Sequence, residues 1–235
     1  MGAYDWAGTA FFGTEAAADR PGEEGPPTRF IAFDLETTGL YPAKDRIVEI
    51  GAVKFDRRGP IGRFSVLIDP RMPMPAEASR INGITDAMLA GKPVLDQVLP
   101  DFLRFIGDGV LIAHNASFDC SFVNAALKER WETAQAAAKE DAAQISLLDD
   151  APGGDTEPSR AKTVWAPPFP ALPNRVVDTL AFAKETIPGR AKYNMQELAS
   201  FLGIKAMEAH RAEDDARVCM ELFIKLAERR QGRSA

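Results

Sequence analysis

The sequence predicts an α/β protein built on a mixed central sheet with helices on both faces. Two observations carry this reading. The first stretch after residue 28 is three β-rich segments separated by turn signals, at the short spacing of an antiparallel meander. Beyond it, helical and strand patterns alternate, which adds helices to the faces of the sheet and makes the sheet mixed.

The elements follow in order. FIAFDLE alternates apolar and other residues from Phe30, and IVEIGAVKF and RFSVLI are rich in β-formers, with RRGP as the intervening turn. Short helical turns come after Pro75. In VLDQVLPDFLRFI, the residues Leu95, Val98, Leu99, Phe102 and Ile106 recur at helical spacing. GVLIAHN reads as a short buried strand and SFDCSFVNAALKERW as a helix; NRVVDTLAFAKE is a strand running into a helix. Helices from Met195 to Leu202 and from Ala212 to Arg229 complete the pattern, and Asn194 with Glu197 forms a capping box for the first of them. No internal repeat is apparent.

Residues 29–230 are thus expected to form one domain, after a flexible leader at 1–28 and before a short basic tail at 231–235. Residues 131–174 interrupt the domain as a surface insertion. Within it TAQAAAKEDAAQISLLDD extends the preceding helix, APGGDTEPS is expected to be disordered, and WAPPFPALP favours extended polyproline-like backbone. The leader's Tyr4, Trp6, Phe11 and Phe12 are candidates for docking on a partner or on the chain's own body.

With 235 residues and 46% hydrophobic content, the chain can bury one sizeable core. No apolar run approaches the roughly 20 residues of a membrane span, and the N-terminus does not read as a signal peptide. Cys120 and Cys219 lack metal or framework spacing, as expected of reduced thiols in a cytoplasmic protein. The net charge of −6 argues at first against a polyanionic partner. Residues 1–28 and 131–174 together carry −8, however, which leaves +2 on the body, and +6 once four acids discussed next are set aside. A modestly basic body suits a short polyanion better than a long track.

Those four acids are the chemically informative residues. Asp34 and Glu36 stand two apart on a strand, so both leave one face while Ile31, Phe33 and Leu35 take the other. Neighbouring carboxylates repel unless a cation or shared proton intervenes. Asp119 precedes Phe122, Val123, Ala126 and Leu127 at the offsets of a buried stripe, and Asp215 precedes Val218, Cys219 and Leu222 in the same way. Glu213 and Asp214 fall on other faces and read as solvated. Singly, a strand acid can sit at a fraying edge and an Asp in a first helical turn usually caps it. Four acids aimed at one core surface instead suit hard divalent cations, Mg2+ or Mn2+.

Both histidines stand five residues before one of these aspartates: His114 before Asp119, and His210 before Asp215. Spacing does not choose between them. His114 closes the buried VLIAH, whereas His210 lies in the polar approach EAHRAEDDA, which favours His210 as a base near neutrality for attack of water on a phosphodiester.

Taken together, FDLETTGL, IVEIGAVKF, HNASFDCSF, VVDTLAFAKETIPG and HRAEDDA resemble the successive motifs of DnaQ-like 3′–5′ exonucleases, the branch with four acids and a histidine. The match runs in order from Phe30 to about Leu226. The resemblance implies a ribonuclease H-like fold and hydrolysis of nucleotides from a nucleic-acid 3′ end. By motif position it makes Asp34, Glu36, Asp119 and Asp215 ligands of two divalent cations and His210 the general base. It places backbone groups of Thr37 and Gly39 near the terminal nucleotide and makes Asn115 and Phe118 flank the substrate end. Glu49 matches a position that is usually structural. Asn82 departs from the family, where histidine is common.

The substrate implied first is single-stranded or frayed DNA, in proofreading or repair; RNA is the alternative, since the sugar is read by 2′-hydroxyl contacts that loops supply. A third reading is a polymerase-associated module that docks through its leader or insertion. Because 20 residues follow Asp215, a free-standing enzyme or one docking in that way is expected over a near equivalent of the family's polymerase subunit.

Overall fold

β1 (Phe30–Thr37) lies at the centre of the sheet because its residues are apolar on both sides for most of its length. β2 (Ile47–Asp56) and β3 (Gly59–Leu67) continue it as the antiparallel meander expected from the turn signals. β4 (Val110–Ala113) pairs parallel to the other edge of β1, and β5 (Val176–Asp178) parallel to β4, giving the order β3-β2-β1-β4-β5. The chain switches sides of the sheet between β1 and β4, and ligands of open α/β sheets bind outside the carboxyl ends of strands at such a switch.

The helices are α1 (Ala76–Asn82), α2 (Asp86–Leu89), α3 (Leu95–Ile106), α4 (Ala116–Asp149), α5 (Thr179–Thr186), α6 (Met195–Leu202) and α7 (Ala212–Gln231). This computed structural model describes residues 29–56, 58–149, 165–207 and 210–232. Among them, those up to Asp119 and from Asn174 onward form one compact unit, and Cys120–Pro173 form a second. The leader, the APGGDTEPS segment and most of the basic tail lie outside the described residues. The composition change at Trp131 marks no break in α4, which continues to Asp149. Gln231, expected in the tail, is the last residue of α7.

In the first unit, strand alternation decides which helices cover which face. Phe30 and Ala32 of β1, with Val53 and Phe55 of β2, share a core with buried residues of α5, α6 and α7. The Phe223 ring of α7 lies 5.5 Å from Phe30 and 6.2 Å from Phe55. On the opposite face, Phe102 of α3 lies 6.1 Å from Phe33 and 5.6 Å from Phe64. Burying each such ring contributes roughly 1.5–3 kcal/mol. Helices therefore cover both faces, as expected.

α7 is buried more widely than its predicted stripe of Val218, Cys219 and Leu222. Ala216, Met220, Phe223, Ile224 and Leu226 are buried as well, because α7 packs on β1 and β2 and also against α5 and α6. At α6 the Asn194 side chain accepts from Glu197 N at 2.9 Å, the expected cap.

α7 can approach the sheet only because residue 51 is glycine. A Cβ there would run into the backbone of Ala212 and Glu213. Gly51→Ala is therefore expected to push the first turn of α7 off β2, costing about 1–3 kcal/mol. Thermal unfolding should show a midpoint lowered by roughly 2–12 °C; an unchanged midpoint would refute the close approach.

Candidate active site

Asp34 and Glu36 leave β1 on the side that faces α7, so the first turn of that helix arrives over them. In the register of β1 with β2, Asp34 stands opposite Gly51 and Glu36 opposite Glu49. Asp119, in the first turn of α4, is 2% exposed and its Oδ1 accepts from Leu35 N at 3.1 Å, between the two strand acids. Asp215, in the first turn of α7, is buried and its Oδ2 accepts from His210 N at 2.9 Å. The ligand atoms of Glu36, His210 and Asp215 lie within 4.8 Å of one another. Asp34 and Asp119 fall outside that grouping.

Electrostatics tie all four acids together. Burial, then the charges of Asp119, Asp215, Glu36 and Glu49, hold Asp34 well above the ordinary carboxylate range. Burial and then Asp215 push Glu36 up to about 8, while an amide hydrogen bond from Asn82 opposes this. Burial pushes Asp119 up to about 8 against its backbone hydrogen bonds, with Asp178 adding to the rise. Burial also raises Asp215, against the backbone hydrogen bond from His210 N and the electrostatic effect of the neighbouring imidazole. Among the described residues, no lysine or arginine forms an ion pair with any of the four. A cluster of buried oxygen donors short of positive charge fits divalent cations.

The pH dependence follows. Glu36 and Asp119 titrate near 4.5 and 3.8 in an unfolded chain and near 8 in the folded one. Between those values the native state holds more protons, so the metal-free protein should lose stability as pH rises from about 4 to about 8. Bound cations replace those protons, so stabilisation by Mn2+ should be larger at pH 8 than at pH 5.5. At 100 times its dissociation constant an ion adds about 2.7 kcal/mol, roughly 5–11 °C in midpoint. Thermal scans in chelator and in Mn2+ at both pH values check this, and equal shifts at the two pH values would contradict it.

The two histidines occupy different environments. His114 is engaged at both ring nitrogens: Nε2 donates to the Tyr193 carbonyl at 2.9 Å and Nδ1 lies 3.0 Å from Thr179 Oγ1. Because that carbonyl only accepts, the proton is on Nε2, and burial lowers the affinity of the ring for a second one. His210 is exposed, with left-handed backbone at φ 65°, beside Glu36 and Asp215.

The remaining predicted residues border the same strand ends. Thr37 is buried and its hydroxyl donates to the Gly39 carbonyl at 2.6 Å. Asn115 is exposed in a left-handed turn at φ 64°, and its carbonyl accepts from Phe118 N at 2.9 Å. Phe118 is half-buried, immediately before Asp119.

Three residues differ from the reading of the sequence or were absent from it, and Glu49, read as structural, gains its partners. Asp214, expected in solvent, is buried; it accepts from Arg217 Nε at 2.9 Å and Met207 N at 2.7 Å, because the segment before α7 folds back over its first turn. Asn82 is also buried, with Nδ2 3.4 Å from the Thr37 carbonyl and Oδ1 accepting from Ile84 N, so its amide supports Glu36 from inside. Asp178, which lies in the VVDTLAFAKETIPG motif but was given no role, accepts from Asn115 N and Leu180 N and so ties the Asn115 turn to α5. Its position directly before a helix was the available signal. Glu49 is almost fully buried and accepts from Arg211 and from Ala212 N.

The exonuclease family model RNase_T matches residues 31–146 and 160–223. A DNA polymerase III subunit epsilon from Treponema pallidum is 45% identical over 196 residues, 83% of this chain and 74% of that protein. A PolC-type DNA polymerase III from Caldanaerobacter subterraneus is 31% identical over 202 residues, 86% of this chain but 12% of that protein. Exonuclease X, solved with 5′ overhanging duplex DNA, shares the fold with a TM-score of 0.57 at 24% identity, over 86% of this chain and 91% of that one. The match spans every strand and helix that supplies the acidic site, and on it the chain belongs to the DnaQ-like 3′–5′ exonuclease family that the RNase_T model describes.

Proposed function

We propose that the chain removes nucleoside monophosphates one at a time from the 3′ end of single-stranded or frayed DNA, using two Mg2+ or Mn2+ ions. The observation that carries this reading is the meeting of Glu36, His210 and Asp215 within 4.8 Å, beside Asp34 and a strand-tied Asp119. Asp34, Glu36, Asp119 and Asp215 would hold the ions; their four charges balance two divalent cations. When bound, such ions lower the pKa of water and stabilise the attacking and leaving oxygens of an in-line displacement. His210 takes the proton of the attacking water, and its exposure lets that proton pass to solvent. Carboxylates half-buried on β1 and buried on α4 and α7 come from three rigid elements, so the oxygen donors are preorganised. Thr37, Gly39, Asn115 and Phe118 would line the terminal nucleotide at the strand ends. The two free cysteines support a reducing, cytoplasmic setting. Among the described residues no helix is long and apolar enough to cross a membrane.

The test is digestion of 3′-labelled single strands of DNA and of RNA. Mononucleotide release with Mg2+ or Mn2+, none with chelator, and preference for DNA are expected. Internal cleavage or metal-independent release would overturn the mechanism, and faster RNA digestion would overturn the substrate assignment.

The likeness to a polymerase subunit favours a second element of the reading, association with a DNA polymerase for proofreading. The leader and residues 131–174 are the proposed docking segments. Deleting each should reduce co-purification with polymerase while leaving digestion of free strands intact; unchanged co-purification would remove the assignment.

A further inference from the structure

We propose that Glu49 and Arg211 form a latch that positions His210 over the carboxylate site, so that Glu49 sets turnover without touching a reacting atom. This rests on the reading of His210 as the general base.

His210 belongs to no helix or strand, and its backbone is left-handed at φ 65°. Such a residue keeps one orientation only if its neighbours are held. On its own amide the hold is Asp215 Oδ2 at 2.9 Å. On the following side, one carboxylate gathers three donors: Arg211 Nε reaches Glu49 Oε2 at 3.2 Å, Arg211 Nη2 reaches Oε1 at 2.9 Å, and Ala212 N reaches Oε2 at 3.1 Å. The two residues directly after His210 are thereby tied to a buried side chain of β2. A bidentate guanidinium fixes angle as well as distance.

Glu49 stands directly opposite Glu36 in the strand register, so the latch is anchored one strand from a proposed metal ligand. Gly51, two residues on, lets the first turn of α7 seat against the same strand. Both oxygens of Glu49 are taken by these donors, which separates it from the four acids proposed to hold cations. A buried ion pair is a weak source of stability, and the physical role left for this one is placement. A cavity of about 310 Å³, lined in part by Glu49, Arg63, Met207 and Arg211, lies beside the pair. Water there can solvate Arg211 when its partner loses charge, so Glu49→Gln should still fold.

The experiment measures kcat, KM for a labelled strand and the Mn2+ concentration giving half-maximal rate. The proteins are wild type, Glu49→Gln, His210→Asn and the double variant, with Arg211→Lys as a second probe that keeps the charge and loses the fork. Glu49→Gln is expected to lower kcat by about 10–100-fold with KM and the Mn2+ requirement unchanged. In the His210→Asn background, neither Glu49→Gln nor Arg211→Lys should lower kcat further, because the group they position is gone. A loss of equal size in both backgrounds, or a raised Mn2+ requirement, would show that Glu49 acts on the carboxylates or on folding and would overturn the latch. Wild-type turnover in His210→Asn would overturn the base assignment itself and the latch with it.

Discussion

Replacing Asp34 with Asn is expected to lower exonuclease turnover by roughly 10³-fold or more while making the metal-free protein more stable. The first effect follows from removing a charged oxygen ligand from the proposed metal site, whose ions would supply several kcal/mol of transition-state stabilisation, at 1.36 kcal/mol per decade. The second follows from the same carboxylate's surroundings. Burial and four neighbouring acids hold Asp34 well above its usual range, so its ionised form is disfavoured in the metal-free fold. An amide of equal size removes that repulsion. In chelator at pH 8, the variant should melt at a higher temperature than the wild type, and Mn2+ should stabilise it less than the wild type. Turnover on a 3′-labelled strand and paired thermal scans measure both effects. Retained turnover would remove Asp34 from the metal site; a lower midpoint in chelator would refute its electrostatic strain.

The next largest effect belongs to His210. His210→Ala should lower kcat by roughly 10²–10⁴-fold. The left-handed backbone at this position complicates alanine, so His210→Asn, whose side chain tolerates that conformation, is the cleaner removal of the imidazole. Because the ring is exposed, the Asn variant should stay within about 0.5 kcal/mol of wild-type stability. His114→Ala should behave in the opposite way. It removes the donor to the part-buried Tyr193 carbonyl, while Thr179 keeps Ala113 and Cys219 as partners, costing about 1–3 kcal/mol, and should leave turnover of the folded protein largely intact. Exchange of these two phenotypes would show that the other imidazole is the base.

These contrasts show why some residues were readable early and others were not. Five residues before Asp119 and before Asp215 stands a histidine, and that spacing is equally compatible with either role; only the polar context of His210 favoured it. The difference between them is a matter of partners: Thr179 and Tyr193 reach His114 from 65 and 79 positions away. Asp214 illustrates the same limit. Helical offsets place it off the core stripe of α7, yet the segment carrying Met207 folds over that side and buries it. Glu49 was visible as a strand acid, but its role depends on Arg211, 162 positions on.

The sequence alone determined the direction of each side chain relative to its own element. The two-residue period of β1 put Asp34 and Glu36 on one face, and the helical period of the segments after Asp119 and Asp215 aimed those acids at a core surface. It also determined strand and helix order, and, through five ordered motifs, the family. Tertiary structure decided which neighbour each side chain meets: Asp119 on the β1 backbone, His114 locked in the core, His210 beside Glu36 and Asp215, and Glu49 under Arg211. The physical reason is that periodicity is a local property of the backbone, whereas hydrogen bonds and charge–charge energies depend on distances between segments that only packing brings together.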